Sequence, residues 1–569
     1  MATSTSLPSQ NVPNADQLTA QNIPTNYGAL GTLVTVFFFW GFIAAGNSIF
    51  IPFCKHYFHL DQFQSQLIDF AFYLAYYIGA LVLYLIGVSR GKDLVAQWGY
   101  KKSIIYGLFL SVLGAIGMVL AVNYSGFSAV LSALFIVALG FSLQQTGAQP
   151  FAIALGDPST GSHRVNLGGG VNSFGTMIGP IIVTFALFGS TTVTDEQINS
   201  LKLDTVTILY LGVAALFFIA ALLFIFSKKL PAGTSEAVIE RSNKATGTLI
   251  IMTLLLIGVF IPVFASYRGT IPEPGTPERS ALEMYRLRWL LAALVIVVVS
   301  LLFANGRARS NPAGWGAMRY SQLVLGMLGI FTYVGVEVTI ASNLGELLKQ
   351  PEFGAIQAAK TAPYVSLYWG SLMIGRWAGA IPVFNPSKSL KNFLLVLVPL
   401  VAFGIILLVN QLAKNDITPL YWYVVCVVVQ ILGFFITQEK PALMLLVFSV
   451  FGILAMLVGL MTSGTTSIYA FLSGGLFCSI MWPCIFSLGV AGLGKYTSQG
   501  SAFLVMMILG GAVIPPLQGT LGDMGAIGFH KSYLLAALCF AFLAYLAVKF
   551  RSVLKAQGLD FDSQVGGGH

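Results

Sequence analysis

The chain has 569 residues, of which 56% are hydrophobic and only 9% charged, far below the roughly 25% charge of a soluble domain. That balance excludes a soluble globular protein and describes an all-α polytopic membrane protein. The formal net charge of +9 is spread over many short loops without a long basic run, so it reads as membrane orientation, and no nucleic-acid partner is expected.

Residues 1–26, MATSTSLPSQNVPNADQLTAQNIPTN, are polar and contain no Lys or Arg. They lack the basic region and apolar core of a cleavable signal, so a disordered cytoplasmic tail is expected. Sixteen apolar runs follow, near 30–53, 65–88, 103–122, 128–154, 166–189, 206–227, 246–266, 288–305, 322–345, 364–384, 392–411, 420–437, 442–462, 468–490, 500–521 and 532–549. Each is long enough to span a bilayer as a helix. Threaded alternately from a cytoplasmic N-terminus, the inner loops and tail carry about twice as many Lys and Arg as the outer loops, as the positive-inside rule requires. Both termini are then cytoplasmic, and the expected location is a bacterial inner membrane.

Cys426, Cys478, Cys484 and Cys539 lie inside apolar runs and Cys54 near a boundary. A disulfide framework is not expected, and the cysteines read as packing residues. His56, His59, His163, His530 and His569 fall in loops, boundaries or the tail. No nucleotide-binding Gly-Lys motif appears, and no loop is long enough for a catalytic domain. An enzyme, a metal site and a bound cofactor are therefore not expected.

Two stretches mark a duplication. QPFAIALG (149–156) and WPCIFSLG (482–489) both hold Pro, four residues, then Leu-Gly. Downstream of each comes a Gly-rich run that closes on proline, GGGVNSFGTMIGPI (168–181) and GSAFLVMMILGGAVIPP (500–516). Matching motifs in matching order suggest two halves related by a parallel repeat. With six helices per half, twelve spans are core and four are extra, inserted as pairs so that later helices keep their orientation. The expected division is an N-terminal six-helix half at 27–230, a linker with one inserted pair at 231–320, a C-terminal half at 321–550 interrupted by a second pair at 392–437, and a cytoplasmic tail at 551–569. The inserted pairs are expected at the periphery, with Arg268, Arg279 and Arg286 as solvated loop residues.

The segments FFFWGFIAAGNSIFIP (37–52), LQQTGAQPF (143–151), HRVNLGGGVNSFG (163–175), YVGVEV (333–338), GRWAG (375–379), CSIMWPCIFSLG (478–489) and GSAFLVMMILGGAVIPP resemble the fucose permease and glucose/galactose transporter family of the major facilitator superfamily. The resemblance covers the core spans of both halves and not the inserted pairs. It implies an alternating-access transporter of twelve core helices, with a central sugar site between the halves and coupling to protons or sodium. The proton-coupled fucose pattern has Asn-Asp where this chain has Asn47-Ser48 and Glu where it has Gln145. The glucose/galactose members are similar to this chain at Gln145 and in YVGVEV, which supplies Glu337. A glucose- or galactose-like hexose is therefore the expected substrate, with fucose also open, and a sugar uniporter or a transporter-like sugar sensor is the alternative.

Glu337 is the most prominent candidate. Counted from Gln322, it lies 15 residues into its span, about 22 Å into a hydrocarbon slab roughly 30 Å thick. An ionised carboxylate there costs about 2.5–3.5 kcal/mol on insertion scales, and no Lys or Arg of the same span can pair with it. It is expected to face a watery cavity, carry a proton or bind a cation; a plain interhelical hydrogen bond is the alternative. Tyr333, one turn earlier, is placed to bond the carboxyl group or the sugar. Asp69 ranks second, about 6 Å below the outer boundary, where an outer gate or hydration site is an equal reading.

Gln145 and Gln149 share one face of a helix, next to Pro150. Two amides on one face suit hydroxyl recognition, or they join helices by hydrogen bonds. Asn47 in the first span faces the same choice. Asn172, after Gly168, Gly169 and Gly170, reads equally as ligand contact or packing, and Trp482 beside Pro483 as a sugar-stacking ring or a core aromatic. The loop SRGKDLVAQWGYKKS (89–103) resembles the superfamily's signature loop between helices two and three. Ala96 replaces its usual Asp; Asp93, Lys101 and Lys102 remain as an inner gate or a topology anchor, with Arg376 as their counterpart in the second half.

Overall fold

The computed structural model describes residues 24–58, 62–124, 126–157, 160–189, 203–233, 242–268, 271–273, 276–357 and 360–559. Most of the expected N-terminal tail and the end of the C-terminal tail lie outside the described residues. What is described is helical, without strands. Each apolar run becomes one long helix or a helix with a short break. These are α1 Tyr27–Tyr57, α2 Gln62–Arg90, α3 Tyr100–Tyr124, α4 Phe127–Ala154, α5 Gly161–Phe188 and α6 Leu203–Phe226. Next come α7 Asn243–Ala265, α8 Pro277–Ser310, α9 Ser321–Leu348, α10 Ala362–Ala380 and α11 Lys388–Leu412. The last five are α12 Thr418–Thr437, α13 Pro441–Met461, α14 Gly464–Val490, α15 Gly494–Asp523 and α16 Gly528–Ala556. Thirteen of the described helices are long and apolar enough to cross a membrane. α1, α5 and α10 occupy the three remaining predicted spans.

The duplication is written in the packing. In the first half α1 packs on α5, α2 on α4, α3 on α4 and α3 on α6; in the second, α9 packs on α15, α10 on α14, α13 on α14 and α13 on α16. Taking α9, α10 and α13 to α16 as the counterparts of α1 to α6, the two sets are the same set. The halves meet along two lateral seams, α2 against α15 and α5 against α10, which exchange under the same correspondence.

Close approach within and between halves is set by missing side chains. Gly510, after the 3-10 break Met507–Leu509 in α15, lies against the Phe331 carbonyl of α9, where any Cβ would collide. Gly170 of α5 leaves no room for a Cβ against the Trp377 ring of α10, and Gly169 sits tightly against the Arg376 side chain. Small residues let helix backbones come together where the bilayer offers no hydrophobic force to drive them.

The inserted pairs sit outside this frame. The most apolar stretches of α7, α8, α11 and α12 are 33%, 28%, 33% and 44% buried, as low as the outer core helices α6 and α13 at 33% and 44% and far below the 89%, 89% and 94% of α9, α14 and α15. α7 leans on α2 and α8 on α15, so the first pair lies along one seam. α11 packs on α10 and touches α5, so the second pair lies along the other.

One expectation is corrected here. Arg279 and Arg286 are not solvated loop residues, because α8 begins at Pro277, capped by the Thr276 hydroxyl accepting the Arg279 N–H. Both arginines therefore ride on the helix. Arg286 is 2% exposed, paired with Glu283 at 2.6 Å, bonded to Ser266 Oγ at 2.9 Å and lying 3.8 Å above the Tyr267 ring. Arg279 reaches Glu283 at 3.1 Å and Asp523 of α15 at 2.6 Å.

Candidate functional site

The expensive acid is not alone. The Glu337 carboxylate accepts from Arg376 Nη2 at 3.3 Å, with side chains 12% and 11% exposed. The partner comes from α10, a different span, beyond the same-span residues weighed from the sequence. Arg376 is thus no simple surface gate at the inner boundary. Its Nη2 also donates to Tyr333 Oη at 3.1 Å and its Nε to the Ser479 carbonyl at 3.1 Å. Nη1 donates to Ser173 Oγ at 2.8 Å and more distantly to the Gly169 carbonyl. The fork of one guanidinium therefore joins an acid of the second half to α5 of the first half, and all of its bonds are charge-assisted. Tyr368 fixes the level of α9 by donating from its hydroxyl to the Glu337 carbonyl oxygen at 2.6 Å.

Around this pair the seam is stitched by further bonds. Trp377 Nε1 donates to the Gly170 carbonyl at 3.2 Å, and His163 Nδ1 lies 2.8 Å from the Gly379 carbonyl. Tyr27 Oη donates to the Val383 carbonyl at 2.8 Å. On the other seam Ser501 Oγ donates to the Thr146 carbonyl at 2.8 Å, and Tyr84 packs edge-on against Phe503 at 4.7 Å. Among the described residues, these bonds cluster between the middle of the bundle and the face where α1 begins.

One predicted residue lies beside the pair, and two others carry free or cross-helix-bonded amides on α4. Trp482 lies with its ring 6.2 Å from Tyr333, and its buried indole N–H has no hydrogen-bond partner. On α4, Gln145 donates to Tyr76 Oη at 3.1 Å, while the Gln149 carbonyl oxygen is buried without a partner. Unpaired buried polar atoms cost about 1–3 kcal/mol each, and a polyhydroxyl solute is chemically suited to satisfy them.

Others stand apart. Asn172 donates to the Phe37 carbonyl at 3.0 Å, so its donor joins α5 to α1. Asp93 caps the short helix Leu94–Trp98 by accepting from the Ala96 N–H at 3.0 Å. It also lines a cavity of about 20 Å³ with Ser498 and Gln499 across the first seam. Burial lifts its carboxyl group above the usual value, against the backbone N–H bonds that hold it down. Lys101 donates to the Ser227 carbonyl at 2.8 Å, at the end of α6, and Lys102 is exposed. Asn47 and Asp69 lie on α1 and α2, and their side chains fall outside the described residues.

Sequence reasoning missed three groups. Gln144, the neighbour of Gln145, is fully buried; it accepts from Trp40 Nε1 at 2.5 Å and donates to Ser111 Oγ at 3.0 Å. Arg164 is buried and donates to the Ala152, Ile153 and Asp157 carbonyls at 2.6–2.8 Å, closing the C-terminal end of α4 as a cation should. Ser173 is the third, three residues past the glycine run, where a hydroxyl among small residues was the available signal.

Comparison with known proteins decides the fold. A crystal structure of FucP, a major facilitator superfamily transporter in the outward conformation, superposes with a TM-score of 0.59 at 21% identity, covering 92% of this chain and 98% of that one. The chain has the major facilitator fold. The human organic anion transporter MFSD10 shares it, with a TM-score of 0.56 at 12% identity and coverage of 92% and 100%. In sequence, the chain is 29% identical over 544 residues to a glucose/galactose transporter of Brucella abortus, covering 95% of the chain and 98% of its relative. It is 25% identical over 535 residues to the L-fucose–proton symporter of Escherichia coli, with coverage of 91% and 92%. No protein-family profile matches the chain.

Proposed function

We propose that the chain is a secondary active transporter that imports a hexose by alternating access, with protons as the coupling ion. The single observation that carries this reading is the Glu337–Arg376 pair, a buried acid and base that also reach across the α5–α10 seam. Proton gain at Glu337 removes one side of the pair and leaves the Arg376 guanidinium to its bonds on Ser173 and Ser479. Proton loss restores the pair. A titrating group that shares a cation with the seam links ion occupancy to the contact between halves, which is what coupling requires.

Protons suit this site better than sodium. A sodium ion would need room for several oxygen ligands where the guanidinium already sits, whereas a proton takes one carboxylate oxygen and is opposed by the guanidinium only through its charge. The relative from Escherichia coli is named a proton symporter, and the Brucella relative points to glucose or galactose. In this reading Gln145, Gln149, Tyr333 and Trp482 meet the sugar, with the free edges at Gln149 and Trp482 left for its hydroxyls. Asn47 and Asp69 keep their expected roles in substrate contact and coupling, while Asn172 serves packing. Asp93 and Arg376 act at the closed inner side, and Lys101 and Lys102 anchor topology.

One observation favours a uniporter instead: the Arg376 charge already satisfies Glu337, so the pair can hold the seam without moving a proton. Purified protein in proteoliposomes, given a panel of hexoses under separately imposed proton and sodium gradients, tests both readings. Accumulation above the outside concentration only under a proton gradient supports symport. Equilibration under every gradient supports the uniporter, and binding without uptake supports a sensor.

A further inference from the structure

Between α2 and α7, on the flank of the first seam, lies a cavity of about 390 Å³. Its walls are Leu74 and Ile78 of α2, Leu256, Ile257 and Ile261 of α7, and Leu509 of α15. The two helices touch at both ends and not between. Below, Tyr77 Oη and Thr253 Oγ1 share a hydrogen bond of 2.7 Å, and Tyr84 Oη bonds Thr246 Oγ1 at 3.1 Å. Above, Phe70 packs on Phe260 and Phe264 with centroids 4.9 and 4.6 Å away.

The chemistry of the walls rejects a sugar. The Thr253 hydroxyl is shared between Tyr77 and the Leu249 carbonyl, at 2.7 Å each, so the slot presents hydrocarbon. It opens sideways toward the lipid, since Ile257 and Ile261 are 52% and 63% exposed. From Thr253 to Ala265 the slot follows about 18 Å of helix. A methylene takes up roughly the volume of a water molecule, about 30 Å³, so the cavity holds on the order of a dozen. At its upper mouth, just past the end of α7, stands Arg268.

We propose that this slot is a lipid site, holding one acyl chain of an anionic glycerophospholipid whose phosphate sits at Arg268. The shape fits a chain, the lateral opening admits one from the bilayer, and the one cation among the lining residues lies where a headgroup belongs. The chain would touch α2 of the first half and Leu509 of the second, at the 3-10 break Met507–Leu509 in α15. A bound lipid therefore fills the flank of a seam that alternating access must open and close. The inference rests on the chain being embedded in a bilayer and is independent of which solute it carries.

The test is native mass spectrometry of the full-length protein, delipidated in detergent and titrated with phosphatidylglycerol or phosphatidylcholine of identical chains. The expected result is one retained lipid per chain, with phosphatidylglycerol favoured about fivefold, the worth of one cation near a headgroup. Ile257→Trp fills the slot from an exposed position, so folding is spared, and should abolish the retained lipid. Arg268→Gln should keep the lipid and erase the headgroup preference. Retention unchanged by Ile257→Trp, occupancy by detergent alone, or equal retention of the two lipids by the unaltered protein overturns the proposal.

Discussion

Replacing Glu337 by Gln removes the titrating proton while keeping the shape and one acceptor oxygen. Breaking a buried ion pair ordinarily costs about 3–5 kcal/mol, because a charge is left without compensation. Here Arg376 keeps Ser173, Ser479 and Tyr333 as partners, and the glutamine oxygen can still accept from it. The expected loss is that of one charge-assisted bond, about 1.5–3 kcal/mol, seen as a lower unfolding temperature with folding preserved. The functional loss should be total in one assay and small in another. A gradient of one pH unit is worth about 1.4 kcal/mol and sustains roughly tenfold accumulation at one proton per sugar. In proteoliposomes the unaltered protein should reach that ratio, and Glu337→Gln should stop at equal concentrations inside and out. Sugar exchange at equal pH on both sides should continue near the original rate. Tenfold accumulation by Glu337→Gln would remove the acid from coupling and make Asp69 the next candidate, while loss of exchange as well would show that the pair is needed to hold the site.

Three further outcomes are expected. Gln145→Ala should weaken sugar binding by about 1–3 kcal/mol, the cost of an unsatisfied buried partner, with little change in yield; unchanged binding measured by calorimetry with lost yield would assign it to packing against Tyr76. Gly170→Leu should force apart α5 and α10 at Trp377, costing about 1–3 kcal/mol by overpacking; a cysteine placed at Ser173 should then label faster from the side where α1 begins. Asp93 is held protonated more readily in the folded chain than in the unfolded one, so its contribution to stability is present at low pH and lost as pH rises through the folded value. Asp93→Asn keeps the cap and should flatten that part of the unfolding-temperature profile above the ordinary carboxylate range, which a thermal scan against pH reads directly.

The spans were legible because they are apolar runs of membrane length, thirteen of the described helices meeting that measure, and the two halves because short motifs recur in order. Glu337 was legible as an anomaly, a charge in hydrocarbon. Its partner was not: Arg376 lies 39 residues away on another helix, and single-span pattern reading has no term for antiparallel neighbours. Arg279 and Arg286 were misread for a related reason. Hydropathy places the start of their span near residue 288, but Thr276 and Pro277 start the helix earlier, and paired charges there carry no hydropathy signal. Arg164 carried no signal of its role, because a buried guanidinium that closes a helix end is indistinguishable, by type, from a topology anchor.

The positions of the inserted helices follow from the same physics. A pair preserves the direction of every later helix, so parity permits the insertion, and packing then decides where the pair can lie. The central helices are lined by small and polar residues that match one another closely, as Gly510 matches Phe331 and Gly170 matches Trp377; an extra helix has no place between them. α7 and α11 are mostly apolar, each with a few polar groups bonded to its neighbour, as Thr253 to Tyr77 and Asn410 to Ser366, and the outer surfaces along the two seams accommodate them. α8 shows the limit of that freedom, since the buried charges at its start, Arg279, Glu283 and Arg286, had to find partners, and one of them was found on α15 at Asp523. A bilayer tolerates an added hairpin that brings its own hydrogen bonds and hides its own charges, and both inserted pairs meet that condition at the edges of the helical core.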